Sequence, residues 1–435
     1  FVRSSSIEYS PREGEREVAV VFVDMSPPGT SGGFDPSGPC FEVDYVVQCA
    51  GGEEEARKVA AQIAHEQTVE LPEQYVADTY PGIANEVVGK LARLERLPPR
   101  HGGDDEADAL WRLSIAYHED TTGFELPQFL NVVFGNTSIK PRVEVSDIRL
   151  NAAMLRRRDA FPGPRFGSAG LRALVGVAEG EPLVMTALKP MGLSPEQLAH
   201  QTYSFARGGV DIIKDDHGLA NQRWAPFEAR VKACCEAVRR ANAETGRNAL
   251  YAPTISGPVD KLFQMARFAK KEGAGAVLML PGITGFDAMR ALAADEAFGL
   301  PILCHPALLG CMLGGSLTPG HLHGFQFDVI LSLIPQICGA DATIFPNVGG
   351  RFGFTLRECR SIVDRCRSDA GPFKPIAASP GGGMTLDRIP EILQVLGRDT
   401  MLLVGGSVFA RSPDLEDNAR AFVSSTGRKE KIATA

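Results

Sequence analysis

The chain has 435 residues, 44% of them apolar, with a formal net charge of -8, a size that exceeds one ordinary domain and suits a (β/α)8 barrel plus a smaller partner. The acidic balance excludes the basic footprint of a general nucleic-acid binder, and no apolar run is long enough to span a bilayer. No secretory signal is read, and the nine cysteines form no CxxC pair; buried thiols in a reducing cytoplasm are expected rather than a disulfide frame.

The chain begins at Phe1, so trimmed or added residues are expected there, and residues 1–39 suggest no function. Ser26 to Gly38 is rich in Pro, Gly and Ser and predicts a loop. Phe41 to Cys49 reads as a strand. Glu53 to Thr68 has helical spacing, with Glu53, Glu54 and Glu55 placed to favour the helix dipole. Ala109 to His118 is strand-like, Leu126 to Phe134 predicts a short helix, and Arg142 to Leu150 alternates like a strand. These elements predict an α+β, ferredoxin-like domain over residues 1–155. The segment Arg156 to Gly167 breaks the pattern and is taken as the boundary.

A strand-then-helix beat follows. The predicted strands are Leu183–Leu188, Val210–Lys214, Ala249–Ile255, Ala276–Leu280, Pro301–Cys304, Ala342–Phe345, Lys374–Ala378 and Met401–Val404. Predicted helices lie between them, including Pro195–Arg207, Phe227–Glu244 and Asp287–Asp295. Eight such beats predict a TIM barrel over residues 156–435, with a helical C-terminal extension. Its active site should lie at the C-terminal strand ends, where Lys189, Lys214 to His217, His305, Asn347, Ser379 and Gly405-Gly406 fall.

The run Gly208 to His217 (GGVDIIKDDH) carries the strongest chemical signal. Side chains alternate along a strand, so Lys214 and Asp216 share one face, and His217 opens the loop. Ionisable groups gathered at one strand end suggest a metal or acid/base site. A solvated loop with a helix cap is the plainer reading of the same residues.

With FPGPRFGSAGLR (161–172), LKPMGLSPEQLA (188–199), GADATIFPNVGG (339–350), AASPGGG (377–383) and VGGSVF (404–409) added in this order, the chain resembles the RuBisCO superfamily. More narrowly, it resembles a form IV RuBisCO-like protein. The resemblance implies that Lys189 works at the enolising carbon. It implies that Lys214, carbamylated by CO2, and Asp216 ligate Mg2+. His217 stands where the family has a glutamate, so it either joins the metal shell, with Mn2+ as an alternative ion, or serves as an acid/base. His305 matches a substrate histidine. Met191 and Pro306 replace a family lysine and a phosphate-binding arginine. The mobile-loop lysine is missing, with Arg351 as a partial substitute. Ser379, Gly381, Gly382, Gly383, Gly405 and Gly406 match one phosphate site. Glu66 and Asn136 match residues that reach a neighbouring subunit's site, which implies a homodimer with shared sites.

These parts imply enolate chemistry on a monophosphorylated ketone or keto acid, and negligible activity on ribulose bisphosphate. The Lys-Asp-Asp-His variant resembles the D-apionate branch. Its substrate is 3-oxo-isoapionate 4-phosphate, and its products come from a transcarboxylase/hydrolase or from a decarboxylase. A methionine-salvage enolase and a non-catalytic binding protein are the other readings.

Overall fold

The computed structural model describes residues 34–35, 37–71, 73–98, 109–314, 322–368 and 373–428. The first part of the predicted Ser26–Gly38 loop lies outside them. Strands β1 (Cys40–Gln48), β2 (Lys90–Leu97), β3 (Leu110–His118) and β4 (Val143–Arg149) build an antiparallel sheet in the order β4-β1-β3-β2. Helices Gly52–Glu66 and Leu126–Phe134 make the β1–β2 and β3–β4 connections, so the pattern is ferredoxin-like. Strand β1 is buried on both faces at its centre, and Tyr45 satisfies its hydroxyl by donating to the Val133 carbonyl at 2.6 Å.

Eight parallel strands form the barrel. The first five are β5 (Leu183–Leu188), β6 (Ile212–Asp215), β7 (Leu250–Ala252), β8 (Val277–Met279) and β9 (Ile302–Cys304). The chain then leaves the barrel to add a short strand, β10 (His323–Phe325), parallel to β4 at the edge of the N-terminal sheet. It returns as β11 (Ala342–Pro346), β12 (Ala377–Gly381) and β13 (Met401–Val404). A bridge between Thr254 and Leu278 closes the seam between β7 and β8. Among the described residues, no helix is long and apolar enough to cross a membrane.

Alternation sorts the barrel residues into two cores. Leu183, Met185, Ile212, Leu278, Leu303, Ala342, Ile344, Ala377 and Met401 fill the interior. Their neighbours, such as Val184, Ile213, Tyr251, Phe345 and Leu402, pack outward in the core shared with the helices. The predicted seventh strand, Lys374–Ala378, forms instead at Ala377–Gly381. There the ladder with β11 pairs Ile344 with Ser379 and Pro346 with Gly381, and burial overrides the turn signal of Pro and Gly.

A buried charge network joins the sheet to the barrel. Arg149 on β4 pairs with Glu42 at 2.9 Å, Asp44 at 2.5 Å and Asp147 at 3.0 Å. Asp147 in turn meets Arg365 of the barrel helix Leu356–Arg367 at 3.0 Å, and Arg365 also holds Asp328. Removing the cation from buried carboxylates is costly because their lost hydration is no longer offset. Arg149→Met should therefore destabilise the chain by about 3–5 kcal/mol in urea unfolding. A loss below about 1 kcal/mol, the range of an exposed pair, would show that the network is stabilisation-neutral.

Candidate active site

Inward residues change character towards the C-terminal end of five of the strands. Met185 is followed on its face by Ala187 and Lys189, Ile212 by Lys214 and Asp216, and Leu303 by His305. Ala377 is followed by Ser379 and Leu403 by Gly405. The apolar interior thus ends in a polar floor made of the residues expected there.

The floor is held from behind. Asp215 points away from Lys214 and is fully buried. Its carboxylate takes Arg230 at 3.0 Å, the Tyr251 hydroxyl at 2.7 Å and the Thr254 amide at 3.0 Å. Arg230, also 0% exposed, comes from helix Phe227–Thr245. Lys189 is fixed through its peptide: its N–H donates to Gln201 at 3.1 Å, and its carbonyl accepts from the same amide at 2.5 Å. None of Arg230, Tyr251, Thr254 and Gln201 sits in a recognisable motif, so sequence reasoning missed them. Gln201 could have been found as the inward position of helix Pro195–Arg207 that is polar yet buried.

Within the mouth, Lys189 Nζ lies 2.5 Å from Asp216 Oδ1, and His217 Nδ1 lies 3.5 Å from the same oxygen. Burial alone would raise the Asp216 carboxyl. Hydrogen bonding to His217 and Lys189 outweighs it and holds the group well below the carboxylate range. Lys214 is 1% exposed and, among the described residues, donates only to the Asp215 carbonyl, at 3.1 Å. Burial lowers its ammonium to about 8, against the attraction of Asp216. The His217 and His305 rings stack with centroids 4.7 Å apart. Burial, reinforced by the charge of Lys214, pushes His305 down to about 2, so its ring is neutral. Its Nδ1 accepts from the Ala307 amide at 3.2 Å. A neutral ring so held carries its proton on Nε2 and is a donor there.

The donor set fits a hard divalent cation only in part as it stands. Among the described residues, no three His, Cys, Asp or Glu side chains gather as a metal cluster. Asp216 and His217 could supply two ligands. The third would be Lys214, whose depressed basicity makes the neutral amine easier to reach for uptake of CO2 as a carbamate oxygen donor.

At the other side of the mouth, the Ser379 hydroxyl and both side-chain atoms of Asn347 are fully buried without a partner among the described residues. Such groups call for a ligand or ordered water. A Cβ added at Gly382, Gly405 or Gly406 would meet nothing within 4 Å, so neighbouring protein atoms do not explain the lack of a side chain there. Gly381 and Gly383 differ: a Cβ would strike Leu403 at 2.9 Å in the first case and Arg388 at 2.8 Å in the second. Arg351 is exposed, its guanidinium 4.8 Å from the Phe352 ring centroid, with no bond to the mouth among the described residues. Glu66 and Asn136 are brought together on the N-terminal domain, 3.3 Å apart, with Lys140 at 3.0 Å from Glu66.

The chain was compared with known proteins. Residues 171–352 match the family profile of the ribulose bisphosphate carboxylase large chain, catalytic domain. A ribulose bisphosphate carboxylase-like protein from Rhodopseudomonas palustris is 40% identical over 380 residues, which cover 87% of this chain and 95% of the relative. A 5-methylthioribulose-1-phosphate isomerase from Rhodospirillum rubrum is 36% identical over 88% of this chain and 94% of its own. A sulfate complex of octameric Rubisco from Pyrococcus horikoshii superposes with TM-score 0.77 at 25% identity, covering 91% of this chain and 89% of that one.

Lys214 gives a stability test. Unfolded, it titrates at its ordinary 10.5; folded, at about 8. Between these values the unfolded chain binds more protons, so this group's contribution rises with pH across that window. Its penalty is full below pH 8. Lys214→Met should therefore be more stable than the parent at pH 7, with a difference that shrinks towards pH 10. A difference independent of pH in denaturant titrations would refute the depressed lysine.

Proposed function

The chain belongs to the RuBisCO superfamily as a form IV RuBisCO-like protein, and from that premise we propose that it is an enzyme forming an enediolate on a small monophosphorylated ketone. The observation that carries this reading is the inward row of Lys189, Lys214, Asp216 and His305 facing a mouth whose opposite side holds the unpartnered Ser379 and the open glycine positions.

In this reading Lys189 handles the proton on the carbon next to the substrate carbonyl, removing it from a ketone or returning one to the enediolate left when CO2 departs from a β-keto acid. The Lys189 ammonium pairs with Asp216 in this structure, a partner it would lose if Asp216 held a cation. His305 donates from Nε2 to a substrate oxygen. Ser379 with Gly381, Gly382, Gly383, Gly405 and Gly406 takes the phosphate. Lys214 as a carbamate, Asp216 and His217 would hold Mg2+, or Mn2+ given the imidazole, and the ion would stabilise the charge of the enediolate.

The proposed substrate is 3-oxo-isoapionate 4-phosphate. With water, a transcarboxylase/hydrolase would convert it to 3-phosphoglycerate and glycolate; a decarboxylase would release CO2 and protonate the enediolate to the tetrulose phosphate. A second reading has its own support. The isomerase from Rhodospirillum rubrum is a relative over nearly its whole length. The loop after β9 is apolar, with Pro306, Ala307, Leu308 at 62% exposure and Met312 at 38%. Such a lining suits a substrate with a phosphate at one end and an apolar thioether at the other.

The working unit is proposed to be a homodimer, in a cytoplasmic setting. Glu66 and Asn136 lie beside exposed Ile139, at 81%, while Met191, Trp224, Leu308 and Phe352 are exposed on loops around the barrel mouth. Two apolar surfaces of this kind are covered if one copy's N-terminal domain caps the other's barrel.

Phosphorus and carbon NMR with each substrate, Mg2+ and bicarbonate would decide among these. Glycolate with 3-phosphoglycerate supports the first reading, tetrulose phosphate the decarboxylase, and an isomerised thio-sugar phosphate the second; no turnover of either substrate refutes the proposal. Lys189→Met should lower the observed turnover by about 10²–10⁴-fold. Mixing inactive Lys189→Met and Glu66→Gln chains should restore activity through hybrid dimers. Failure of mixing, with subunit exchange verified, would rule out shared sites.

A further inference from the structure

Arg388 is not part of any motif in the barrel mouth, yet it binds two of its loops at once. It is half-buried just before helix Ile389–Leu396. Its Nη2 donates to the Val348 carbonyl at 2.9 Å, in the loop after β11. Its Nη1 donates to the Gly383 carbonyl at 3.1 Å, in the glycine loop after β12. The two loops also meet directly, since the Asn347 amide donates to the Gly381 carbonyl at 2.9 Å.

The glycines record the passage of this side chain. Gly349 and Gly383 have φ of +66° and +65°, and a Cβ at either would come within 2.9 or 2.8 Å of a guanidinium nitrogen. A Cβ on Gly383 would also lie 3.4 Å from the Gly350 Cα, so the loops pass backbone to backbone. Both acceptors of Arg388 are neutral carbonyls. Among the described residues it has no carboxylate partner, so its positive charge is not cancelled. That charge stands beside the loop that carries the open Gly382 position and follows the strand of the unpartnered Ser379.

We propose that Arg388 is a positioning residue that ties the loops after β11 and β12 into one rigid wall and supplies the fixed positive charge of the anion end of the mouth. The inference rests on the reading of that end as a phosphate site. A guanidinium suits both tasks, because its planar fork can satisfy two carbonyls and keep N–H groups and charge for an anion. A wall held in this way is preorganised, so phosphate binding does not require loop closure.

The test uses the full chain and inorganic phosphate, with binding followed by phosphorus NMR and amide hydrogen exchange read over residues 347–353. Arg388→Met should weaken phosphate binding by about tenfold or more, the loss expected for a charged hydrogen-bonding group, and should speed exchange at Val348 to Gly350. Arg388→Lys keeps the charge without the fork; it should recover part of the binding while exchange stays fast. Parent-like binding and exchange in Arg388→Met would overturn the inference. Ser379→Ala and Gly405→Ala separate the two layers of the argument. If they weaken phosphate binding and Arg388→Met does not, only the role of Arg388 fails. If the parent chain binds no phosphate, the phosphate reading fails, and the inference with it.

Discussion

The buried pair between Asp215 and Arg230 fixes the chemistry of the barrel mouth. Both side chains are sealed from solvent, and Asp215 is further held by the Tyr251 hydroxyl and the Thr254 amide. A carboxylate so enclosed cannot turn towards the mouth without abandoning a buried guanidinium, a loss of several kcal/mol, about 3–5. Strand geometry then leaves Lys214 and Asp216 only the inward face. Thr254 also sits at the bridge that closes the barrel, and its hydroxyl donates to the Asp216 carbonyl at 3.3 Å. Barrel closure and the placing of the ionisable row therefore share one set of contacts.

That row is unusual in its balance. Two lysines and one aspartate face the same space, and burial weakens the basicity of Lys214 while Asp216 stays ionised. An interior of Leu, Ile, Met and Ala beneath them offers no counter-charge, so the groups must satisfy one another or a ligand. The mouth is also lopsided. The ends of β12 and β13 and the loops after them present glycines, an unpartnered serine and a nearby arginine, whereas the loop after β9 presents Pro306, Leu308 and Met312. A ligand charged at one end and less polar at the other matches that lopsidedness.

Much of this was legible in the sequence because parallel barrel strands are short, apolar and bounded by turns. Seven were placed closely and the seventh in order, Lys374–Ala378, overlapped β12 only at its start; the shared face of Lys214 and Asp216 followed from counting in twos. What escaped has physical causes. Strand β2, Lys90 to Leu97, is a charged edge strand with little buried surface, so it shows no apolar alternation. Strand β10 has three residues and forms by pairing with β4, far away in sequence. The end of β12 carries Pro and Gly, which locally signal a turn; the β11 ladder holds it extended. The positioning groups Gln201, Arg230 and Arg388 act through contacts between distant elements, which no local pattern encodes. The glycines of the cradle looked alike in sequence, and only their surroundings separate those facing open space from those making room for Leu403 or Arg388.

Enolisation itself is the central claim, and solvent isotope exchange tests it without depending on which product forms. The full chain with Mg2+ and bicarbonate would be placed in D2O with tetrulose 4-phosphate and, separately, 5-methylthioribulose 1-phosphate. Proton NMR would follow the hydrogen next to the carbonyl. The account predicts deuterium wash-in to at least one of them by the parent chain, and none above background by Asp216→Asn. Absence of wash-in to both, or equal exchange by parent and Asp216→Asn, would contradict it.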